Sequence, residues 1–168
     1  MTKHLRYLFS TLCLILVYSC KYYTFSGIDI NPKIKTFSVS QFENLATLVN
    51  PDLAIDLKQN LIDKLNRKTQ LLEQEEEGDL HFHGAIQRYD IIPIGITSEA
   101  QANQSRFTIQ IKVSFFNKVE PAKNFTTSFP AFKDFDNTIP FESVEEELTE
   151  EIIEEISENI FNKALVNW

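Results

Sequence analysis

The chain has 168 residues and carries 24 acidic against 16 basic side chains, a formal net charge of −8. That length suits one ordinary domain, and so negative a balance argues against nucleic acid as a partner. Its two cysteines, Cys13 and Cys20, both lie close to the amino terminus, so stability is expected to come from a hydrophobic core and not from disulfides.

The first nineteen residues have the layout of a secretory signal. A basic start precedes an apolar run from Tyr7 to Val17, which is much shorter than the ~20 residues of a membrane-spanning helix. The segment closes with Val17-Tyr18-Ser19-Cys20, which resembles the lipobox of bacterial lipoproteins. We therefore predict that residues 1–19 are cleaved and that Cys20 is lipidated, which anchors the protein to the membrane. The alternative is a plain secreted protein that is cleaved near Ser19.

Removal of the signal changes the charge and the cysteine count of the mature chain. Lys3 and Arg6 leave with it, so the formal net charge becomes −10. Cys13 also leaves, and Cys20 remains as the single, acylated cysteine. Residues 20–33 are predicted to form a lipidated tether rich in aromatic side chains, and residues 34–168 a single domain.

The first part of this domain is predicted to contain one strand and one helix. The strand is expected within residues 34–42. Asn50-Pro51-Asp52 is typical of a helix start, with Asn50 as N-cap and Pro51 at the first helical position. Leucines follow at four-residue spacing, at positions 53, 57, 61 and 65, and predict one apolar stripe on a helix that ends near Lys68.

Three strands are predicted next. The strand at 80–94 contains Gly84, which is expected to mark a β-bulge or a register change because the alternation falters after it. Residues 106–117 alternate between apolar and polar side chains, so one face is expected to be buried and the other wet. A further strand begins at Phe125, and Pro130 is expected to bend it or to confine it to an edge.

A long helix closes the domain. Ser143-Val144-Glu145-Glu146 is predicted to form a capping box, and apolar residues at positions 144, 148, 152, 156 and 160 form the inward stripe. The order β-α-β-β-β-α predicts an α+β two-layer sandwich, in which two helices cover one face of a mostly antiparallel four-stranded sheet.

Residues with catalytic or metal-binding chemistry are few. His81 and His83 lie on one face of a predicted strand and could begin a metal site, but no other histidine survives removal of the signal. There is no glycine-rich phosphate loop, serine elbow or free thiol in the mature sequence. We therefore expect neither an enzyme nor a bound metal or cofactor, with the two histidines as surface residues.

Several segments together resemble the LptE family in its Bacteroidetes-type branch. They are Cys20-Lys21-Tyr22-Tyr23-Thr24-Phe25-Ser26-Gly27, Leu48-Val49-Asn50-Pro51, Asp79-Leu80-His81-Phe82-His83-Gly84, and Ile160-Phe161-Asn162-Lys163-Ala164 with Trp168. Lys21 departs from the better-known pattern, in which Gly follows the lipidated cysteine. The resemblance implies a lipoprotein of the outer membrane that faces the periplasm, plugs the LptD β-barrel, assists its assembly and binds lipopolysaccharide on its way to the outer leaflet.

The alternative to a barrel plug is a small periplasmic binding or inhibitor lipoprotein that has no barrel partner.

Contact with lipopolysaccharide requires a local cluster of basic residues, because a protein with a net charge of −10 repels phosphates elsewhere. Arg88, Arg106 and Lys112 fall on the wet face of the predicted hairpin and are candidates for contact with lipopolysaccharide. The alternative is that they are scattered solubilising charges.

Overall fold

The computed structural model describes residues 30–48, 50–94 and 104–166. The predicted signal peptide, the lipidation site Cys20 and most of the predicted tether lie outside the described residues. Neither of the two long helices in the described part is long and apolar enough to cross a membrane.

The described residues form six strands and two α-helices. In chain order these are β1 (Thr36–Val39), β2 (Glu43–Asn44), α1 (Leu53–Lys68), β3 (Leu72–Glu73), β4 (Leu80–Ile94), β5 (Gln104–Asn117), β6 (Phe125–Asp136) and α2 (Glu145–Leu165). The α+β class and the order of the long elements agree with the prediction. The two-residue strands β2 and β3 were not predicted.

The sheet is mixed, with strand order β3-β1-β4-β5-β6 and β2 beside β4. Strands β4, β5 and β6 are antiparallel, whereas β1 and β2 run parallel to β4, and β3 runs parallel to β1. The prediction of a mostly antiparallel four-stranded sheet was therefore wrong. The chain leaves β1, crosses through α1 and returns in the same direction, and a parallel pair of this kind requires such a crossover.

The core lies between one face of the sheet and the two helices. The predicted leucine stripe of α1 is fully buried, and so are the five apolar residues of β5 from Phe107 to Phe115 that alternate with polar ones. Ile152, Ile156 and Ile160 of α2 are also fully buried. Val144 precedes α2 and Leu148 is half-buried, so the predicted stripe of α2 holds for its last three residues only. The periodicities predicted for α1 and β5 are confirmed.

Both predicted helix caps were wrong. Helix α1 begins at Leu53 with Asp52 in the capping position, and the Asn50 side chain instead accepts the Asp52 N–H at 3.0 Å in the turn before the helix. Helix α2 begins at Glu145, and the Ser143 hydroxyl donates back to the Pro140 carbonyl at 2.7 Å. The chain before α2 forms a 3-10 turn that packs Phe141 against the core, so Ser143 does not reach the capping position.

The predicted bulge lies three residues further along β4. Gly84 pairs regularly with Val113, and the register shifts between Ile86 and Arg88. Gly84 serves a different purpose, because a Cβ atom at this position would lie 2.0 Å from the Lys112 carbonyl oxygen. Pro130 lies in the edge strand β6, as predicted, and the strand continues beyond it to Asp136.

Candidate functional site on the open sheet face

The helices cover one face of the sheet, and the opposite face carries the polar side chains of the long strands. We call it the open face. On β5 its residues are the even-numbered ones from Gln104 to Phe116, which alternate with the buried core residues. The strand register then gives their neighbours on β4 and β6.

The three predicted ligand-contact residues all lie on the open face. Lys112 is opposite Ala85, Arg88 is opposite Gln110, and Arg106 is opposite Ile92. The pairs that hold Arg88 and Lys112 are thus two residues of β5 apart, about 7 Å, whereas the pairs that hold Arg88 and Arg106 are four residues apart, about 13 Å. The structure brings Arg88 and Lys112 together and leaves Arg106 at the other end of the face.

Both arginines have carboxylate partners. Arg88 Nε lies 2.7 Å from Asp90, its neighbour on the same strand. Arg106 makes two parallel hydrogen bonds to Asp134, at 2.8 and 2.9 Å, and these bonds lower the pKa of the aspartate. Both pairs therefore carry little net charge.

Lys112 differs from the arginines. It is exposed, and no carboxylate of the described residues lies within ion-pair distance of it. The strongest uncompensated positive charge of the three candidates is therefore the Lys112 ammonium.

Lys112 borders a hollow of about 320 Å³ in the open face. The hollow lies where the chain between β1 and β2 does not pair with β4, next to the small residues Gly84 and Ala85 of β4. Its lining consists of Ser40, Gln41, Glu43, His83, Gly84, Ala85, Lys112 and Ser114. The hollow thus combines a positive side chain (Lys112), a negative one (Glu43) and neutral hydrogen-bonding groups in one concave surface.

The two histidines lie side by side on the open face, with ring centroids 5.5 Å apart. The His83 ring stacks on Phe116, and His81 Nδ1 is 2.8 Å from the Ser38 hydroxyl oxygen. That oxygen also accepts the Gly78 N–H, so its own proton is free for Nδ1 of neutral His81. Burial and the neighbouring His83 lower the pKa of His81. No group of three or more potential metal ligands occurs in the described residues.

Two exposed aromatic residues of this face were not predicted from the sequence. Phe116 is 43% exposed and Phe132 is 49% exposed, and the Arg106 guanidinium lies 3.8 Å from the Phe132 ring centre. Phe116 had a detectable signal, because it occupies a polar position in an alternating strand. Phe132 had none, because it lies beyond Pro130 and its place depends on the register with β5.

The fold defines a class of small two-layer α+β domains that includes bacterial lipoproteins. Uncharacterized lipoprotein B from Nitrosomonas europaea is similar with a TM-score of 0.52 and 6% identity, over 76% of this chain and 79% of that chain. Rare lipoprotein B from Shewanella oneidensis has a TM-score of 0.50 and 7% identity, over 74% and 91%. A hypothetical protein from Chlamydia trachomatis has a TM-score of 0.53 and 8% identity, over 80% and 99%. At these identities the likeness shows the fold alone.

The family follows from the sequence match. Residues 34–164 match the family model LptE, described as lipopolysaccharide-assembly. The chain therefore belongs to the LptE family, which confirms the resemblance found in the sequence. No curated protein matches the chain significantly.

Proposed function

We propose that this protein is an outer-membrane lipoprotein that plugs an LptD-type β-barrel, assists the assembly of that barrel, and acts in lipopolysaccharide transport to the outer leaflet. The observation that carries the proposal is the family match over residues 34–164. The compact sandwich, with one sheet face free of helices, supports it, because a plug must present a preformed surface to the barrel.

The chemistry of the open face suits a polar barrel interior. Its arginines are paired within the face, as Arg106 is with Asp134, so they need no counterion from the partner. Exposed aromatic rings such as Phe116 offer apolar area between the charges. The lumen of outer-membrane barrels is polar and wet, so a mixed face of this kind can be accommodated there.

The membrane anchor in this proposal is lipid attached to Cys20, with the domain facing the periplasm. Two or more acyl chains hold a protein stably on a bilayer, whereas one chain gives only marginal binding. Cys20→Ala is expected to abolish fatty-acid labelling, whereas Cys13→Ala, inside the predicted signal, is the matched control and is expected to label normally. Normal labelling of Cys20→Ala would contradict the anchor.

Affinity purification from solubilised envelopes tests the barrel partner. The expected result is a β-barrel protein in about equimolar amount, together with less assembled barrel and greater sensitivity to large hydrophobic antibiotics after depletion. Purification without a barrel, with an unchanged permeability barrier, would instead favour a small periplasmic binding or inhibitor lipoprotein.

Direct contact with lipopolysaccharide is proposed at Arg88, Arg106 and Lys112, with Lys112 as the principal contact. A phosphate can bind Lys112 without displacing a carboxylate, whereas each arginine must share or leave its aspartate. The contact is tested by Arg88→Glu with Lys112→Glu, and Lys58→Glu with Arg67→Glu on α1 makes the same change in net charge. Weaker binding at low salt is expected for the first pair only, and equal affinity of both pairs would exclude this contact.

A further inference from the structure

The two helices carry facing rows of polar side chains along their shared seam. Spacing of four residues gives the row Asp56, Asn60, Lys64 and Lys68 on α1, and the row Glu146, Glu150, Glu154 and Glu158 on α2. The helices run parallel, because the Asn60 amide donates to Glu154 at 3.0 Å and Lys68 lies 2.7 Å from Glu158. We call these two facing rows the ladder, and the side-chain pairs in its two halves can be compared.

In the carboxyl-terminal half of the ladder, the chain neutralises its own glutamates. Lys64 lies 2.5 Å from Glu154 and 2.8 Å from Glu158, and Lys68 also contacts Glu158. Lys64 is only 1% exposed, so its ammonium group is enclosed between the helices. Two glutamates one helical turn apart on α2, Glu154 and Glu158, can therefore bind one cationic side chain between the helices.

In the amino-terminal half, the corresponding glutamates have no such partner. On α1 this half of the row contains Asp56, whereas the other half contains Lys64 and Lys68. A groove of about 290 Å³ lies between the helices here. Its lining consists of Asp56, Asn60, Glu146, Thr149, Glu150 and Ile153. No basic side chain of the described residues forms an ion pair with Asp56, Glu146 or Glu150.

The groove also contains oxygen atoms that lack a hydrogen bond. Thr149 is 6% exposed, and its oxygen accepts no hydrogen bond from the described residues, nor does the buried side-chain oxygen of Asn60. The Tyr89 hydroxyl lies close to Thr149, but it donates its proton to Glu145. Attraction to the helix dipole can account for acids in a first turn, but it leaves these buried oxygens without a donor.

We infer that this interhelical groove binds an arginine side chain of a protein partner. The acceptors are spread over two glutamates, an aspartate, a hydroxyl and an amide oxygen, and a guanidinium carries five N–H donors in a fixed fork that can reach several of them. A divalent cation fits less well, because the described residues contain no group of three carboxylates or imidazoles close enough to hold one. The partner's arginine would lie beside Glu146 and Glu150 as Lys64 lies beside Glu154 and Glu158.

Titration with a small probe tests the chemistry of the groove. The full-length protein in detergent is titrated with the peptide acetyl-Gly-Arg-Gly-amide and followed by NMR. The arginine peptide is expected to shift the resonances of Thr149 and Asn60 saturably. Its citrulline counterpart, which has the same shape without the charge, is expected to leave them unchanged. Equal binding of the two peptides, or no shift with either, would overturn the inference.

Two pairs of substitutions on α2 locate the binding site. Glu146→Gln with Glu150→Gln is expected to weaken binding of the arginine peptide by about tenfold, since two charged acceptors are lost. Glu147→Gln with Glu155→Gln makes the same change in net charge outside the groove and is expected to alter affinity by less than about twofold. Equal weakening by both pairs would reduce the effect to general attraction and would contradict a site.

Photocrosslinking in cells tests the protein partner. A photoreactive benzoylphenylalanine in place of Glu147, the residue that follows Glu146 on α2, is expected to capture a polypeptide at a segment that contains arginine. Asp56→Arg fills the groove from within the chain and is expected to reduce this adduct by about fivefold or more. The absence of an adduct, an adduct at a segment without arginine, or an adduct unaffected by Asp56→Arg would each overturn the inference.

Discussion

The ammonium nitrogen of Lys64 lies 2.8 Å from a carboxylate oxygen of Glu158, although the two residues are 94 positions apart in the chain. The contact joins the carboxyl-terminal half of α1 to the carboxyl-terminal half of α2. Lys64 is almost fully buried, while Glu158 keeps part of its surface in water. The pair thus holds the two helices in register. The desolvation penalty of the ion pair falls mainly on Lys64, because Glu158 stays partly in water.

Substitution of Lys64 separates the role of its stem from that of its charge. Lys64→Ala removes both and is expected to lower the free energy of unfolding by about 2–3 kcal/mol. Lys64→Met keeps most of the stem volume and is expected to cost about 1 kcal/mol or less, because Glu154 and Glu158 can turn to water. Urea unfolding measures both. An equal loss in the two variants would mean that the charge, and not the packing of the stem, holds the helices.

The same contact predicts how stability depends on acid pH. Hydrogen bonds from Lys64 and Lys68 lower the pKa of Glu158 to about 2, from an ordinary value of 4.5. Because the pKa is lowered on folding, the stabilisation is fully present above about pH 4.5 and is lost as the pH falls toward 2.

A double comparison isolates this effect from that of the other acids. The difference in unfolding free energy between the wild type and Lys64→Met with Lys68→Met is expected to shrink between pH 6 and pH 3. Lys58→Met with Lys163→Met is the control, because neither lysine contacts Glu158, and its difference from the wild type is expected to stay constant. A pH-independent gap for the first pair would contradict the lowered pKa of Glu158.

The sequence predicted those parts of the fold in which one element has one buried face. The leucine row of α1 and the alternation of β5 report a periodicity that burial on one side imposes, and both are confirmed. The parallel pairing of Phe37 with Leu80 could not be predicted in this way. It joins residues separated by a whole helix, and no turn between them marks the partner strand.

For the candidate site, the sequence predicted on which face of the sheet the residues lie, but not which side chains they contact. Alternation placed Arg106 and Lys112 on the wet side of β5, and the structure agrees. The partner of Arg106 was hidden, because Asp134 lies beyond Pro130 in β6 and its place depends on the register with β5. Local cap signals at Asn50 and Ser143 failed for a related reason, since packing of the preceding turns decides where each helix begins.

Gly84 gives a sharp test of the sheet beside the hollow. Gly84→Ala introduces a Cβ atom that would lie 2.0 Å from the Lys112 carbonyl oxygen, so the backbone of β5 must move. The expected loss in unfolding free energy is about 2–3 kcal/mol, at the upper end for overpacking. Ala85→Ser, at the next residue, adds a single oxygen atom and is the control, with an expected change below about 1 kcal/mol. A neutral Gly84→Ala would show that β4 and β5 can separate locally without cost.

Tyr89 links the sheet to the start of α2, where its hydroxyl donates to the Glu145 carboxylate. The ring is buried and packs edge-on against Phe107 at 4.8 Å, so Tyr89→Phe preserves the packing and removes only the hydrogen bond. A hydrogen bond to a charged group contributes about 1.5–3 kcal/mol, and we expect Tyr89→Phe to lose about 1–2 kcal/mol because Glu145 regains water. Urea unfolding at neutral pH measures this loss.

Alkaline titration tests the same hydroxyl through its ionisation. Burial, with a further contribution from the hydrogen bond to Glu145, raises the pKa of Tyr89 to about 12 from 10.0. Because folding favours the neutral phenol, the stabilisation is fully present below pH 10 and is lost as the pH rises toward 12. The difference in near-ultraviolet absorbance between the wild type and Tyr89→Phe isolates this residue from the other tyrosines and is expected to show ionisation only near pH 12. Ionisation near pH 10 in the folded protein would mean that the hydroxyl is solvated and that Glu145 is free of it.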